Sequence, residues 1–411
     1  MIKRSHFAIR CCVLVLVALV GLSPSRVAAA SESVIAVADV HGDFDDFAAI
    51  LQRAGLIDQQ SHWAGGSTTF VQTGDLLDRG PKPRQAMDLV MALQKEAPKA
   101  GGHVISLLGN HEVMNLMGDL RYVTTENYAS YADADSEKRR DNAFRDYIRW
   151  QKSHAQILQH ISKSVFEINE EQWRLHHPAG FLEQRDAFAA NGKYGRWLRE
   201  RPAVAEVATT IFLHGGIAPE LTSLSLDAIN QRIRSEIQAF DAARQYLVNE
   251  GLILPYFTLE QVMAIVQAET DIDAKAADSK TQDRLAHLAL LQEYGSWLSV
   301  REDGPLWFRG YDRWSDEEGP AQIAKVLDTY HATRIVVGHT VQNAGTIRPR
   351  FQNKVFLIDT GMLASVWPGG RASALKIQGN KITAEYVNQE VDLTVEAGSG
   401  SGVQSKGGEQ R

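Results

Sequence analysis

Five loops of this chain carry side chains that commonly bind metal ions, and each loop follows a short apolar run. The side chains are carboxylates, imidazoles and one amide: Asp39, His41, Asp75, Asn110, His214 and His339. Oxygen and imidazole ligands without sulfur favour zinc, iron or manganese over copper(I) or an iron–sulfur cluster. Because side chains two residues apart on an extended segment project to the same side, Asp39 and His41 can hold one cation together.

Asp75 is the predicted centre of the site, because a carboxylate has two oxygens and can hold two ions a few ångströms apart. The predicted ligands are Asp39, His41 and Asp75 for one ion, and Asp75, Asn110, His214 and His339 for the other. Two cations at such a spacing lower the pKa of a shared water and generate hydroxide near neutral pH. The pattern therefore predicts a hydrolytic centre with two metal ions, which are manganese, iron or zinc.

Four further residues supply what phosphoryl transfer to water still needs. Arg79 and Arg309 can neutralise the non-bridging oxygens of a phosphate with their planar guanidinium groups. His111 can protonate the leaving oxygen, and Asp78 can hold its imidazole charged and oriented. Because water attacks in line, no covalent phosphoenzyme is required.

The elements that position these residues follow from hydrophobic periodicity. Buried strands are predicted at residues 34–38, 103–108, 209–213, 334–337 and 355–358. A further strand is predicted to end at residue 72, and strand-like sequence runs from residue 374 into 387. Helices are predicted from residue 44 to 51 and from 84 to 96, the latter ended by Pro98. Strands alternating with helices indicate an α/β fold, whose ligands lie at the carboxyl ends of the strands.

Two long amphipathic segments, residues 119–207 and 226–298, are predicted to be helical insertions. The first contains four histidines to which no role is assigned: His154, His160, His176 and His177. Near its end, Tyr194, Arg196 and Trp197 either form a pocket wall or pack inside the insertion. The last segment, residues 394–411, is rich in Gly and Ser and is predicted to be a disordered tail.

The ordered motifs resemble those of calcineurin-like metallophosphoesterases. These are Asp39-x-His41-Gly42, Gly74-Asp75-x-x-Asp78-Arg79-Gly80, Gly109-Asn110-His111-Glu112, His214-Gly215-Gly216 and Gly338-His339. The Asp-Arg-Gly and Asn-His-Glu forms are those of the phosphoprotein phosphatase branch. Within it, the segments 194–198, 214–216, 306–309 and 338–341 are most similar to the bacterial-type, Shewanella-like protein phosphatases.

The resemblance implies a fold and a substrate class. The implied fold is a four-layer sandwich of two mixed β-sheets flanked by helices, with a dinuclear metal centre and helical insertions. The implied reaction is hydrolysis of phosphate monoesters, of phosphoproteins or of small molecules, and some relatives prefer phosphotyrosine. Thr340 and Val341 follow His339 where the wider superfamily has a second histidine. This departure implies three protein ligands and water on the first ion, and argues against nucleotidases and diesterases.

Two alternatives remain open at this stage. A phosphodiester or dinucleoside polyphosphate hydrolase would use the same ligands on another substrate. An inactive metal-binding scaffold would use its helical segments to contact a partner. The natural substrate and the oligomeric state do not follow from the sequence.

The first thirty residues are typical of a secretory signal peptide, with basic residues before an apolar run and a small-residue cleavage site ending at Ala30. Cleavage would leave 39 basic and 50 acidic residues, which is a formal net charge of −11. We expect no further stretch of the chain to cross a membrane. Such a chain has no electrostatic basis for binding nucleic acid. Cys11 and Cys12 lie in the leader, so the catalytic part, residues 31–393, has no thiolate nucleophile. We expect a periplasmic or secreted protein.

Overall fold

The computed structural model describes residues 33–166, 169–273 and 279–394. The predicted leader and almost all of the predicted tail lie outside these residues. The strands are β1 (Ser33–Val37), β2 (Thr69–Gln72), β3 (His103–Ser106), β4 (Val204–Val207), β5 (Thr210–Leu213), β6 (Arg334–Val337), β7 (Arg348–Arg350), β8 (Val355–Leu357), β9 (Ser373–Gln378), β10 (Lys381–Tyr386) and β11 (Gln389–Asp392).

These strands form two mixed sheets. The six-stranded sheet has the order β11-β10-β9-β1-β2-β3, in which β1, β2 and β3 are parallel and β9 to β11 form an antiparallel meander. The five-stranded sheet has the order β4-β5-β6-β8-β7, in which β5, β6 and β8 are parallel. Each sheet therefore has a core of three parallel strands.

The helices lie between the strands in the chain. They are α1 (Phe44–Arg53), α2 (Pro83–Glu96), α3 (Asn110–Met117), α4 (Thr125–Ala129), α5 (Ser136–Ser153), α6 (Ala155–Leu158), α7 (Glu170–His176), α8 (Phe181–Phe188), α9 (Lys193–Arg199), α10 (Leu226–Asn249), α11 (Leu259–Asp273), α12 (Ser279–Gln292), α13 (Gly310–Arg313) and α14 (Gly319–Tyr330). Short 3-10 helices span Ala97–Ala100, Pro219–Ser223 and Tyr294–Ser296.

Alternation along the strands explains the layers. Val34 and Ala36 of β1 belong to the same apolar cluster as Val336 of β6 and Phe356 of β8, which places this cluster between the two sheets. Their neighbours in sequence, such as Ile35, belong instead to the cluster formed with the helices. Because successive strand residues face opposite sides, one apolar run packs on the other sheet and on the helices at once. The predicted α/β sandwich of two mixed sheets is confirmed.

The structure differs from the sequence interpretation at three places. The first helical segment was predicted to reach residue 207, but Val204–Val207 is β4, which pairs antiparallel with β5 through a turn at Ala208. The edge strands β7 and β11 were not predicted. β7 reads Arg-Pro-Arg and β11 is exposed throughout, so neither shows the apolar pattern of a buried strand.

No helix in the described ranges is both long enough and apolar enough to cross a membrane.

Candidate metal centre and active site

Six parallel strands, three from each sheet, end at one cavity of about 350 Å³. The loops after β1, β2 and β3 bring Asp39, His41, Asp75, Asn110 and His111 to it, and those after β6 and β8 bring His339 and Asp359. His214, which follows β5, lies behind these residues and is fully buried. All six predicted metal ligands therefore converge. The carboxyl ends of parallel strands meet at one edge of a sheet, and here two such edges adjoin.

The turns that present these side chains have unusual backbone geometry. Left-handed φ angles occur at His41 (47°), Asp75 (57°), Asp78 (67°), Arg79 (65°) and His339 (66°). Such values cost about 1–3 kcal/mol for residues other than glycine and persist only where the surrounding structure enforces them. The concentration of this strain at the cavity is typical of a functional site.

Neighbouring glycines explain how the strands come so close. A Cβ atom at Gly109 would lie 2.1 Å from Asp75 Oδ1, and one at Gly338 would lie 2.4 Å from Asp39 Oδ1. Both distances are far below van der Waals contact, so larger residues here would displace the two carboxylates. The glycines in the Gly-Asn-His and Gly-His motifs therefore make room for ligands on other strands.

Atoms that carry lone pairs meet around His214. Its Nδ1–H donates to the Thr73 carbonyl (3.1 Å), which leaves the Nε2 lone pair facing Asp75 Oδ2 (3.2 Å) and Asn110 Oδ1 (2.9 Å). His339 donates from Nε2–H to the Trp307 carbonyl (3.1 Å), so its Nδ1 lone pair lies 3.1 Å from His214 Nε2.

Such a cluster is stable only with a positive charge among the four atoms. The Asp75 and Asp39 carboxylates raise the pKa of His214 to about 9, although burial acts to lower it. A metal ion could replace that proton, and the carboxylate, amide and two imidazoles fit such an ion. Asp75, Asn110, His214 and His339 are thus arranged as the sequence predicts for the second ion.

A second group of ligand atoms lies on the other side of Asp75. His41 donates from Nδ1–H to the Leu77 carbonyl (2.9 Å), so its Nε2 faces Asp75 Oδ2 (3.6 Å) and Asp39 Oδ2 (3.8 Å). Burial, followed by the nearby charge of His111, lowers the pKa of His41 to about 3, which keeps the imidazole in its neutral, metal-binding form. Asp75 therefore belongs to both groups, as a bridging ligand would.

The imidazole of His111 is held at the rim of this second group. Its Nδ1 lies 2.6 Å from Asp78 Oδ2, its Nε2 lies 3.8 Å from Asp75 Oδ2, and Arg79 Nη2 lies 3.4 Å from the same Nε2. Burial acts to lower the pKa of His111, but the Asp75 and Asp78 carboxylates outweigh it and raise the pKa. Asn115 fixes Asp78 in turn by donating to Oδ1 (2.9 Å). His111 is thus oriented and favours its charged form, as a proton donor requires.

Glu112 joins the loops after β2 and β3, a role that the sequence interpretation did not assign. Its buried carboxylate accepts hydrogen bonds from the backbone N–H groups of Asp75 (2.7 Å), Leu76 (2.9 Å) and Gly109 (2.8 Å). Burial and the charge of Asp75 raise its pKa to about 7. One side chain thereby joins the loop after β2 to the loop after β3.

Arg309 approaches the cavity from the loop before α13. Its Nη1 donates to the His339 carbonyl (2.9 Å) and to Thr340 Oγ1 (3.1 Å), and the side chain lines the same cavity as Arg79. Arg309 therefore also supports the turn that presents His339. Thr340 helps to hold the guanidinium in this position.

Asp359 is a cavity residue that the sequence interpretation missed. It is 1% exposed, Oδ1 accepts the Gly361 N–H (3.0 Å), and Oδ2 has no hydrogen-bond partner among the described residues. Burial raises its pKa to about 6, and its charge contributes to the raised pKa of Asp39. A buried carboxylate oxygen with no donor beside a second carboxylate fits a site that binds cations or their water ligands. Its position after β8 was the available signal.

Two aromatic residues form the outer walls of the cavity. The Tyr122 ring lies 5.0 Å from the His111 ring and 4.7 Å from the Arg79 guanidinium. The Trp367 ring lies 5.1 Å from the His41 ring and 5.0 Å from the same guanidinium. Arg79 is therefore in contact with two aromatic rings, which restricts the motion of its guanidinium at the wall of the cavity. No sequence motif marked either aromatic residue.

The remaining candidates lie elsewhere. Tyr194 and Trp197 are buried and donate hydrogen bonds to Asp88 (2.9 Å) and Gln94 (2.8 Å), so they join α9 to α2. Arg196 lines a separate surface depression. His154 and His177 bond the carbonyls of Trp150 and Trp173 within their own helices. None of these residues lines the cavity of Asp75.

Comparison with known proteins assigns the arrangement to a family. The sequence pattern of the calcineurin-like phosphoesterases matches residues 33–343. Shewanella-like protein phosphatase 2 of Arabidopsis thaliana is 30% identical over 228 residues, which are 52% of this chain and 54% of the plant protein. Shewanella-like protein phosphatase 1 of Plasmodium berghei is 26% identical over 85% of this chain and 73% of its own length.

A solved structure has the same fold. The cold-active protein-tyrosine phosphatase of a psychrophilic Shewanella species superposes with a TM-score of 0.56, at 24% identity, over 88% of this chain and 80% of its own. Because the aligned part is 88% of this chain, the likeness extends well beyond the loops that carry the predicted ligands.

Proposed function

The chain belongs to the calcineurin-like phosphoesterase family and is a metal-dependent phosphatase, and on that premise we propose that it hydrolyses phosphate monoesters on proteins. The observation that carries the proposal is the position of Asp75 in two groups of ligand atoms, one with Asp39 and His41 and the other with Asn110, His214 and His339. Two arginines and an oriented histidine border these groups.

The chain's own residues would divide the work as follows. Bound by Asp39, His41, Asp75, Asn110, His214 and His339, two cations would lower the pKa of a shared water so that it can attack phosphorus near neutral pH. Asp75 would fix the spacing of these cations. Arg79, in contact with Tyr122 and Trp367, would orient the non-bridging oxygens.

Departure of the leaving group depends on His111. Its Nε2 faces the cavity and would protonate the leaving oxygen, while Asp78 holds Nδ1. Asn110 and Arg309 lie within reach of the same phosphate and would complete its binding. A monoester dianion has three non-bridging oxygens, so it can use both arginines and the cations. A diester has one negative charge fewer, so the arginines and the cations would stabilise its transition state less.

Asp75→Asn is the decisive test. An amide supplies one neutral oxygen where the site needs two charged ones, so hydrolysis of p-nitrophenyl phosphate should fall by more than the 10²–10³-fold typical of losing one stabilising group. Metal analysis of the same sample should find fewer ions per chain than in the wild type. The exposed Asp328→Asn on α14 is a matched control and should change neither value. Wild-type activity in Asp75→Asn would exclude the mechanism.

The same assay separates the alternatives. Bis(p-nitrophenyl) phosphate and a dinucleoside polyphosphate, tested beside the monoester, should turn over more slowly. Faster turnover of either would favour the diesterase alternative. Absence of turnover on every phosphoester, with both ions bound, would favour the inactive scaffold.

Export also remains a proposal, supported by the basic and apolar pattern of the first thirty residues. Mass spectrometry of the protein from a secretion-competent host should find Ser31 as its first residue. A mature chain that begins at Met1 or Ile2 would contradict it.

A further inference from the structure

A groove of about 650 Å³ lies beside the active site. We call it the insertion groove and define it by its apolar lining: Leu120, Val123, Leu175, Phe181, Leu259 and Met263. These residues come from the loop after α3, from the first helical segment and from α11 of the second. Leu175 is 76% exposed, a large fraction for a leucine at the edge of a groove. Both helical segments therefore contribute to one surface.

The groove continues into the active site. A smaller cavity of about 180 Å³ shares Asn110 and Trp307 with the metal-site cavity, and Asp119 and Arg121 with the insertion groove. Three adjoining cavities thus extend from the proposed metal centre across the helical segments. A phosphate ester bound at Arg79 would have its leaving group at one end of this path.

The loop of residues 118–124 forms the wall between the two ends. Tyr122 lies on the side of the active site, where its ring contacts His111 and its carbonyl accepts the Arg79 N–H (3.1 Å). Its neighbours Arg121 and Val123 line the groove. The Leu259 N–H donates to the Gly118 carbonyl (2.8 Å), which ties the start of α11 to the same loop. The groove and the phosphate-binding arginine are therefore parts of one structure.

We propose that the insertion groove binds the polypeptide that flanks a phosphorylated side chain, an inference that rests on the proposed phosphatase function. A free amino-acid phosphate or sugar phosphate would end within the cavity of about 350 Å³ and leave the groove empty. The lining combines apolar side chains with Asp119, Arg121, His176 and Glu260, which suits a chain that presents apolar groups and backbone amides together. The two helical segments would then select protein substrates over small phosphomonoesters.

Two substitutions in the groove test this inference. Leu175→Asp and Met263→Glu place a charge where the flanking polypeptide would pack. Leu175 is exposed, so the fold should tolerate its substitution, and a melting temperature checks the fold of the variant at the half-buried Met263. Val391→Asp, on the exposed strand β11 at the far edge of the six-stranded sheet, is the matched control. The probes are p-nitrophenyl phosphate and phosphotyrosine and phosphoserine peptides of eleven residues with leucines on either side.

For the better of the two peptides, kcat/KM in the wild type should exceed that for p-nitrophenyl phosphate. In each groove variant it should fall about 10–100-fold, mainly through KM, which is the effect of losing one buried apolar contact. The kcat/KM for p-nitrophenyl phosphate should stay at the wild-type value. Val391→Asp should leave both substrates unchanged.

Other outcomes would overturn the inference in distinguishable ways. If the groove variants slow both substrates equally, or leave the peptides unaffected, the groove does not bind flanking polypeptide, but the phosphatase function stands. If the wild type hydrolyses p-nitrophenyl phosphate as efficiently as every peptide, the groove likewise does not bind flanking polypeptide and the phosphatase function again stands. If the metal-loaded wild type hydrolyses neither class of probe, the proposed function itself fails.

Discussion

Each of the two sheets directs three parallel strands at the same cavity, but the two sets of loops differ in content. The loops after β1, β2 and β3 carry short dense motifs, with Asp75, Asp78, Arg79 and His111 close in sequence or joined by Glu112. The loops after β5, β6 and β8 each carry one ligand-type residue, His214, His339 and Asp359. The six-stranded sheet thus supplies the proposed bridging carboxylate and the proposed proton donor, and the five-stranded sheet supplies isolated ligand-type side chains.

This difference suggests a division between proton transfer and support of ion binding. Both sheets supply proposed metal ligands, but the proposed proton donor His111 lies on the six-stranded side, and the unpartnered carboxylate oxygen of Asp359 lies on the five-stranded side. Substitution of His111 and of Asp359 examines this division, and a third substitution examines Arg309, which supports the His339 turn.

The largest effect is expected from His111→Asn on the six-stranded side. Loss of the proton donor should slow the hydrolysis of alkyl phosphates by roughly 10²–10⁴-fold, because an alkoxide is a poor leaving group. Hydrolysis of p-nitrophenyl phosphate should slow much less. The dependence of kcat on leaving-group pKa measures this directly. Bound metal should remain at the wild-type level. Equal slowing of all esters would remove His111 as the acid, and loss of metal would make it a ligand, since its Nε2 lies 3.8 Å from Asp75.

A smaller effect is expected from Asp359→Asn on the five-stranded side. Its unpartnered oxygen would hold a water bound to the ion of Asp39 and His41, and loss of such an outer contact lowers metal affinity roughly 10–100-fold. Titration with a competing chelator should show one weakened ion of two, and the leaving-group dependence should match the wild type. Unchanged affinity would contradict the role of Asp359. A changed leaving-group dependence would break the division between the sheets.

The smallest effect is expected from Arg309→Lys. Lysine keeps the charge but loses the planar fork that reaches the His339 carbonyl and the cavity together. We expect KM for monoesters to rise about tenfold, because a hydrogen bond to a charged group contributes roughly 1.5–3 kcal/mol. Steady-state kinetics on a single ester measure this. An unchanged KM would exclude Arg309 from substrate binding and leave it as a support for the His339 turn.

The same contrast explains how much the sequence could predict. Strand-end motifs are local, so the six ligand-type residues and His111 could be named from their neighbours in the chain, and the structure brings them together. The α/β sandwich followed from the family resemblance. Asp359 also follows an apolar strand but belongs to no motif, and a single aspartate after a strand does not reveal that its oxygen lacks a donor.

Other features depend on positions far apart in the chain. Glu112 was visible in the Asn-His-Glu motif, but its role depends on where the N–H groups of Asp75 and Leu76 lie. Tyr122 and Trp367 are separated by more than two hundred residues and meet only at Arg79. The insertion groove needs both helical segments in their folded positions. Hydrophobic periodicity identifies elements but not the spaces between them.

The left-handed turns at His41, Asp75, Asp78, Arg79 and His339 have one further consequence. The direction of each functional atom is set by main-chain geometry as much as by the identity of the side chain. Grafting the same residue types onto relaxed loops of a different scaffold would reproduce the composition of this site while its donor atoms diverged. A designer who wished to transplant the centre would have to carry the turns and the Glu112 carboxylate with it.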